Sequence, residues 1–378
     1  MFGYIWRQLF QRKVRTLLSM LGVAVSVAGI VALISVAHGM RSSLDSYMVE
    51  SGASLIVFSR DAAGLEYSMI APEEIEKIKQ FDGVEDVSRS TFTMLKSPLL
   101  GPTHKPYALI FVFGRFPDER IMQRYAAMLK RGRLPKERHE IMVGLTVADY
   151  AGMKIGDKLP LFRREHLGIK EYEIVGVFHS PIRWENGGLV VHGDVVMQET
   201  GKPVSLLFLY TRASAREAVQ AAVSGTFNHL DAVTPPQFTS RFATQMEVID
   251  DFIMLVTVIA MILGVLGVLN TMMMSVSERT REIGMLRALG WSRGLIIKAI
   301  MTEGVLLSLV GGIFGLGIGY VGTEILIAVF PGGWLDALYE PSTFLFGGGV
   351  ALTVGVLAAV YPAVRAANLR PVEALRYE

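Results

Sequence analysis

Read for hydrophobic and polar positions, the chain is four long apolar runs with one long mixed stretch inserted after the first. Residues 17–37 carry no charge and would measure about 30 Å as a helix, the thickness of a bilayer's hydrocarbon core. Residues 252–276, 299–330 and 343–364 form the other three runs. Ser35-Val36-Ala37 resembles a signal-peptidase site, but the run is too long for a typical signal sequence and three more follow. Residues 38–250 read differently. Residues 72–80 place Pro72 and acids in a first turn, then apolar residues at helical spacing. Short β-rich runs at 84–87, 109–113, 140–143, 172–178 and 206–210 are separated by turns at 81–83 and 156–157, with short helices at 146–151 and 215–223. The pattern predicts an α-helical membrane protein with four transmembrane helices and an α+β extracytoplasmic domain inserted between the first and second spans.

Charge sets the expected topology. Residues 1–16, an amphipathic stub, hold Arg7, Arg12, Lys13 and Arg15 without an acid. Arg279, Arg281, Arg287, Arg293 and Lys298 follow the second run, and Arg365, Arg370 and Arg376 lie in the tail, 365–378, whereas 331–342 has no Lys or Arg. Basic segments stay inside, so both termini and the loop after the second span are expected in the cytoplasm, with 38–250 outside. Composition agrees with a membrane protein, at 51% hydrophobic with a mean hydropathy of +0.40. The net charge of +2 gives no general attraction to nucleic acid. The absence of cysteine excludes disulfides, thiol catalysis and cysteine metal sites.

One charged stretch, residues 277–293 (SERTREIGMLRALGWSR), lies between the second and third runs. Ile283, Leu286 and Leu289 recur at helical spacing among Glu278, Arg279, Arg281, Glu282 and Arg287. Arg279 and Glu282 can pair on one face, Gly290 fits just past a helix end, and Ser292 can cap the next helix. Such a helix is either an interfacial connector held on anionic lipid or a docking helix for a cytosolic partner. Inside the runs, Gly311, Gly315 and Gly319 repeat every four residues, as do Gly347, Ala351, Gly355 and Ala359, marking faces where the third and fourth helices pack closely. Glu303 and Glu324 lie about 31 Å apart along a helix, so each can sit at an opposite membrane face. There is no P-loop motif, no histidine pair spaced for metal and no nucleophile–base grouping, so no catalytic or metal site is expected.

The stretch E-R-T-R-E-I-G-M-L-R-A-L-G resembles the signature loop of FtsX/MacB-type ABC transporter permeases. The C-terminal YPAVRAANLRPVEALRYE, RTLLSMLGVAVSVA at the first span, and the order of GASLIVF, residues 72–87, 130–161 and YEIVGVF resemble the same family over essentially the whole chain. The resemblance implies that 277–293 is a coupling helix. Glu278, Arg279, Arg281, Glu282, Ile283, Leu286 and Arg287 would then meet a separate cytosolic ATPase in two copies, which holds ATP and Mg. It implies a permease homo- or heterodimer in the bacterial inner membrane, an adaptor in some systems, lipid contact and no nucleic acid. Export or extraction of a lipid, lipoprotein, peptide or drug is the expected work. The alternative is mechanical activation of an external enzyme without transport. Peptide-sensing resistance modules of this family typically have more spans.

Overall fold

The computed structural model describes residues 13–62, 67–100, 108–163, 168–245, 247–329 and 335–370. Most of the basic stub and residues 371–378 of the tail lie outside them. The chain divides into one unit of residues 1–38, 246–326 and 337–378 and another of residues 39–245 and 327–336.

Among the described residues, four helices are long and apolar enough to cross a membrane: Lys13–Glu50, Glu247–Glu278, Arg293–Val329 and Pro341–Ala367. Each begins before its apolar window, and the first runs on to Glu50, because a nucleated helix propagates through polar residues of adequate propensity. In the first unit these helices bury a common core of Val27, Ile30 and Val31, Val268 and Met272, Ile300 and Leu307, and Val350, Val354 and Ala358. Hydroxyls stitch the first helix to the second: Ser26 Oγ donates to the Ala260 carbonyl at 3.0 Å, and Ser19 bonds Thr271. Inside a bilayer such bonds are retained because hydrocarbon offers no alternative partner. Before the fourth helix, the Leu338 N–H donates to the Ser35 carbonyl at 2.9 Å, and the Tyr339 hydroxyl to Glu324 Oε1 at 3.0 Å.

Among its described residues the second unit holds ten strands: β1 Leu55–Ser59, β2 Val84–Ser97, β3 Ala108–Arg115, β4 Leu129–Gly132, β5 Glu140–Gly144, β6 Lys158–Leu161, β7 Lys170–Phe178, β8 Gly188–His192, β9 Leu206–Thr211 and β10 Leu230–Val233. Strands β1, the first half of β2, β9 and β10 pair antiparallel in the order β10-β1-β9-β2. With helices Pro72–Lys79 and Arg216–Thr226 between them, this is a β-α-β-β-α-β split unit. Those helices pack on one face of the sheet through Ile75, Ile78, Val219 and Val223. Leu44, Tyr47 and Met48 from the end of the first helix cover the other face with Phe238.

Everything between β2 and β9 is an insertion that builds a second lobe. β2 serves both lobes: Val84–Ser90 pair with β9, and Thr91–Ser97 pair with β3. The chain of pairings β2-β3-β8-β5-β7-β6 returns to its start, because Lys96 and Phe162 exchange both backbone bonds at 2.8 and 3.0 Å. This ring encloses Leu95, Ile110, Val112, Ile141, Val143, Leu159, Ile174 and Leu189. The opposite faces of the same strands are buried too, through Phe113, Met142, Phe178 and Val190. Strands buried on both faces lose the polar alternation that a half-exposed strand shows. Glu140, at the start of β5, gathers the 133–140 loop by accepting from the Arg133 guanidinium and from the Lys136 and Glu137 N–H groups. The Arg133 hydrogen bonds, against burial, hold its carboxyl down to about 2.

A buried ionic cluster sits where the tail of the first helix meets the strands. Arg115 is buried and donates to the hydroxyls of Tyr47 and Ser90. Arg124 forks onto Glu185 at 2.6 and 2.8 Å and reaches Glu50 at 3.1 Å. The hydroxyls of Tyr125 and Ser180 donate to the same Glu185 carboxylate at 2.6 and 2.5 Å. The Trp184 ring centroid lies 5.2 Å from those of Tyr47 and Phe113, adding an aromatic wall to the cluster.

Candidate coupling site

The charged stretch folds as expected from its ends inward. The second long helix stops at Glu278 and a new helix, Thr280–Ala288, begins two residues later. Arg279 between them is the corner, with φ −105° and ψ 16°. The short helix closes with Gly290 at φ +93°, a left-handed conformation that glycine adopts without a Cβ clash, and the Trp291 N–H reaches back to the Leu286 carbonyl at 3.1 Å. Ser292 Oγ then accepts from the Leu295 N–H at 3.3 Å and caps the third long helix.

The residues of the short helix divide between two faces. Ile283 is buried in the helical core and Leu286 packs against it, so both seat the helix on its own protein. They do not form a ridge with Leu289, which is 80% exposed. The outward face consists of Glu278, Arg281, Glu282, Met285 and Leu289. Arg287 is half-buried, with its guanidinium 3.5 Å from the Trp291 carbonyl near the helix C-terminus, where a cation meets the negative end of the helix dipole. Arg279 pairs with Glu282 at 4.0 Å, but its shorter contact is with Glu303 of the third helix at 2.9 Å. Sequence spacing could locate the first of these partners; the second, 24 positions away, has no local signal.

The glycine faces are real contacts with a different distribution of partners. Gly311, Gly315 and Gly319 face the first helix: a Cβ at each would stand 2.9, 2.7 and 3.0 Å from the carbonyl oxygens of Met20, Ala24 and Ala28. The expected contact between the third and fourth helices uses another row of the third helix. A Cβ at Gly304 would lie 2.6 Å from the Ala359 Cβ, one at Gly312 2.5 Å from the Ala351 Cβ, and one at Gly355 2.9 Å from the Ser308 Cβ. Gly347 meets Leu316 of the third helix and Val27 and Val31 of the first. Gly304 and Gly312 were not singled out by sequence, although their i, i+8 spacing through Ser308 carries the same small-residue period. Among the described residues, no group of histidine and acidic side chains could hold a metal ion.

The chain matches two family models: an FtsX-like permease C-terminal model over residues 254–371, and a MacB-like periplasmic core domain model over residues 16–226. It is 26% identical to the uncharacterized ABC transporter permease YknZ of Bacillus subtilis, over 97% of this chain and 96% of that one. It is also 26% identical to a protein of Bdellovibrio bacteriovorus described as the macrolide export ATP-binding/permease protein MacB. That match takes in 99% of this chain and spans 61% of the relative's length. Among solved structures, the extracellular domain of YknZ aligns with 48% of this chain and 99% of that one at a TM-score of 0.36 and 14% identity. The periplasmic region of MacB from Actinobacillus actinomycetemcomitans aligns with 51% of this chain and 94% of that one, at 0.37 and 10%.

Proposed function

The chain belongs to the FtsX-like ABC transporter permeases with a MacB-like periplasmic core domain, and on that premise we propose that it couples ATP hydrolysis by a separate cytosolic ATPase to movement of its external domain. ATP and Mg would be held by the partner, two copies of which would serve a permease dimer in the inner membrane. The work so driven is export or extraction of a lipid, lipoprotein, peptide or drug from the outer leaflet or periplasm. The observation that carries this reading is the outward face of helix Thr280–Ala288. It presents both signs of charge, Arg281 and Glu282, beside exposed Met285 and Leu289. An anionic lipid surface would use the arginine and gain nothing from the glutamate. A protein groove pairs both signs, and that pairing also fixes register.

Glu282→Lys separates these cases. Its ion pair with Arg279 is long and its side chain 55% exposed, so the exchange leaves the fold intact. Recovery of the ATPase with the purified permease should fall about tenfold, the loss of roughly 1.4 kcal/mol expected for one mismatched interfacial charge. A lipid-anchored connector would instead bind anionic vesicles more tightly with the added cation. ATPase recovery equal to wild type would remove the docking reading.

The topology has its own check. With both termini and the short helix in the cytoplasm, a cysteine at Ser277 should resist a membrane-impermeant thiol reagent in intact cells. One at exposed Arg212 of the external domain should react. The chain has no cysteine to interfere. The opposite labelling pattern would invert the orientation.

A further inference from the structure

The third helix carries an acid, Glu303, in a largely buried position that the coupling reading above does not use. Its side chain is 11% exposed, and its Oε2 stands 2.9 Å from Arg279 Nη1. Arg279 is the single residue at the corner between the second long helix and the short helix; its carbonyl accepts the Ile283 N–H at 2.9 Å, the first turn of the short helix. The short helix is thus held to the third helix at both ends. At its C-terminal end the link is covalent, through the tight turn at Gly290 and the Ser292 cap. At its N-terminal end the link is the Arg279–Glu303 ion pair, which meets the third helix a further two to three turns along. Beside Glu303, Gly304 lies so close to Ala359 of the fourth helix that a Cβ would stand 2.6 Å from the Ala359 Cβ. A pull delivered to Glu303 therefore acts beside a point where the third and fourth helices approach closely.

The turn at Gly290 and the apolar seating of Ile283 and Leu286 fix where the short helix lies, but neither is a directional link between its first turn and the third helix. A second attachment makes the short helix and the inner end of the third helix move as one body. The pair is largely buried, with side chains 22% and 11% exposed, so an opened ion pair leaves a poorly solvated charge, which resists separation under load. Glutamine at 303 could satisfy the guanidinium geometrically, but without the charge the joint would yield.

We propose that Glu303 is a positioning residue for energy coupling: through Arg279 it ties the corner of the coupling helix to the third span, so that displacement of the short helix becomes displacement of that span. The proposal rests on the coupling reading above. The test uses the full chain co-purified with its ATPase in lipid nanodiscs, with a spin label on a single cysteine at Ile325, an exposed position toward the far end of the third helix. Spectra are compared without nucleotide and with ATP plus vanadate. In Glu303→Gln the nucleotide-dependent change should shrink about tenfold, a typical coupling strength between distant sites, while ATPase recovery and hydrolysis persist. Glu303→Asp should retain part of the change. The exchanged pair Arg279→Glu with Glu303→Arg should restore it, and this arm decides the matter if Glu303→Gln does not fold. A full response in Glu303→Gln overturns the proposal, as does a folded exchanged pair that stays silent. Loss of insertion and ATPase recovery together, unrescued by the exchange, means a purely structural role and overturns it too. If the wild-type permease recovers no ATPase, the coupling reading fails and takes this proposal with it, an outcome distinct from a silent Gln variant that still holds its ATPase.

Discussion

Glu185→Gln is expected to lower the stability of the external domain by about 3–5 kcal/mol, the range for removing one partner of a buried ion pair. Glu185 is fully buried, and its carboxylate accepts from Arg124 twice, from Tyr125 and from Ser180. The amide would keep the shape but remove the charge, and its NH₂ would face donors where an acceptor is required. Arg124 retains Glu50 at 3.1 Å, which places the expected loss at the lower end of the range. Burial by itself would raise the Glu185 carboxyl; the hydrogen bonds and charge of Arg124, with Ser180 and Tyr125, bring it below the usual carboxylate range. A group held low in the folded chain contributes stability above its unfolded value, ~4.3, and that contribution disappears as pH falls through the folded value. The unfolding midpoint of the wild-type chain in detergent, followed by tryptophan fluorescence, should therefore drop on acidification more steeply than that of Glu185→Gln. Equal midpoints at neutral pH would show that the ion pair adds nothing.

Gly315→Leu should disrupt the membrane unit. A Cβ there would already stand 2.7 Å from the Ala24 carbonyl oxygen and 3.0 Å from the Ala24 Cα. Both are backbone atoms of the first helix, which cannot swing aside as a side chain can. Overpacking a filled core costs about 1–3 kcal/mol where side chains can yield, and a backbone contact belongs at or above the upper end. Gly317, two residues on, has no atom within 4 Å of its would-be Cβ. Gly317→Leu is thus the matched control: same helix, same added volume, open space. Size-exclusion profiles after a heat ramp in detergent should show Gly315→Leu aggregating well below the wild type and Gly317→Leu close to it. If the two variants behave alike, the close approach of the first and third helices is not what holds this unit together.

Much of the architecture is a local property and was legible in the residues themselves. The four spans follow from strongly apolar runs of bilayer length, since a helix satisfies its backbone bonds within the segment, as hydrocarbon requires. The ends of the short helix follow from Gly290 and Ser292, because turn and cap chemistry is decided by single residues. The small-residue faces follow from a four-residue period on one helix. The resemblance of 277–289 and of the C-terminal motif to FtsX/MacB-type permeases was also legible, and the family matches agree with it.

What the residues could not determine is which face meets which neighbour. A run of period four says that something approaches closely but not what; only packing assigns Gly311, Gly315 and Gly319 to the first helix and Gly304 and Gly312 to the fourth. The inward turn of Ile283 and Leu286 has the same origin: amphipathic spacing marks an apolar side, and the protein's own helices claimed it before any partner could. Strands such as β3, β5 and β8, apolar on both faces, carry no alternation from which their order could be read. Long-range pairing therefore decided that β2 spans both lobes and that Lys96 meets Phe162 to close the ring. Glu303 and Glu185 show the same division. Sequence identifies Glu303 as an acid in an apolar run and gives no sign that Glu185, in the polar stretch 180–188, is buried; their partners, Arg279 and Arg124, are chosen by the fold, because the cost of burying a charge is met only by whatever cation the tertiary structure brings within reach.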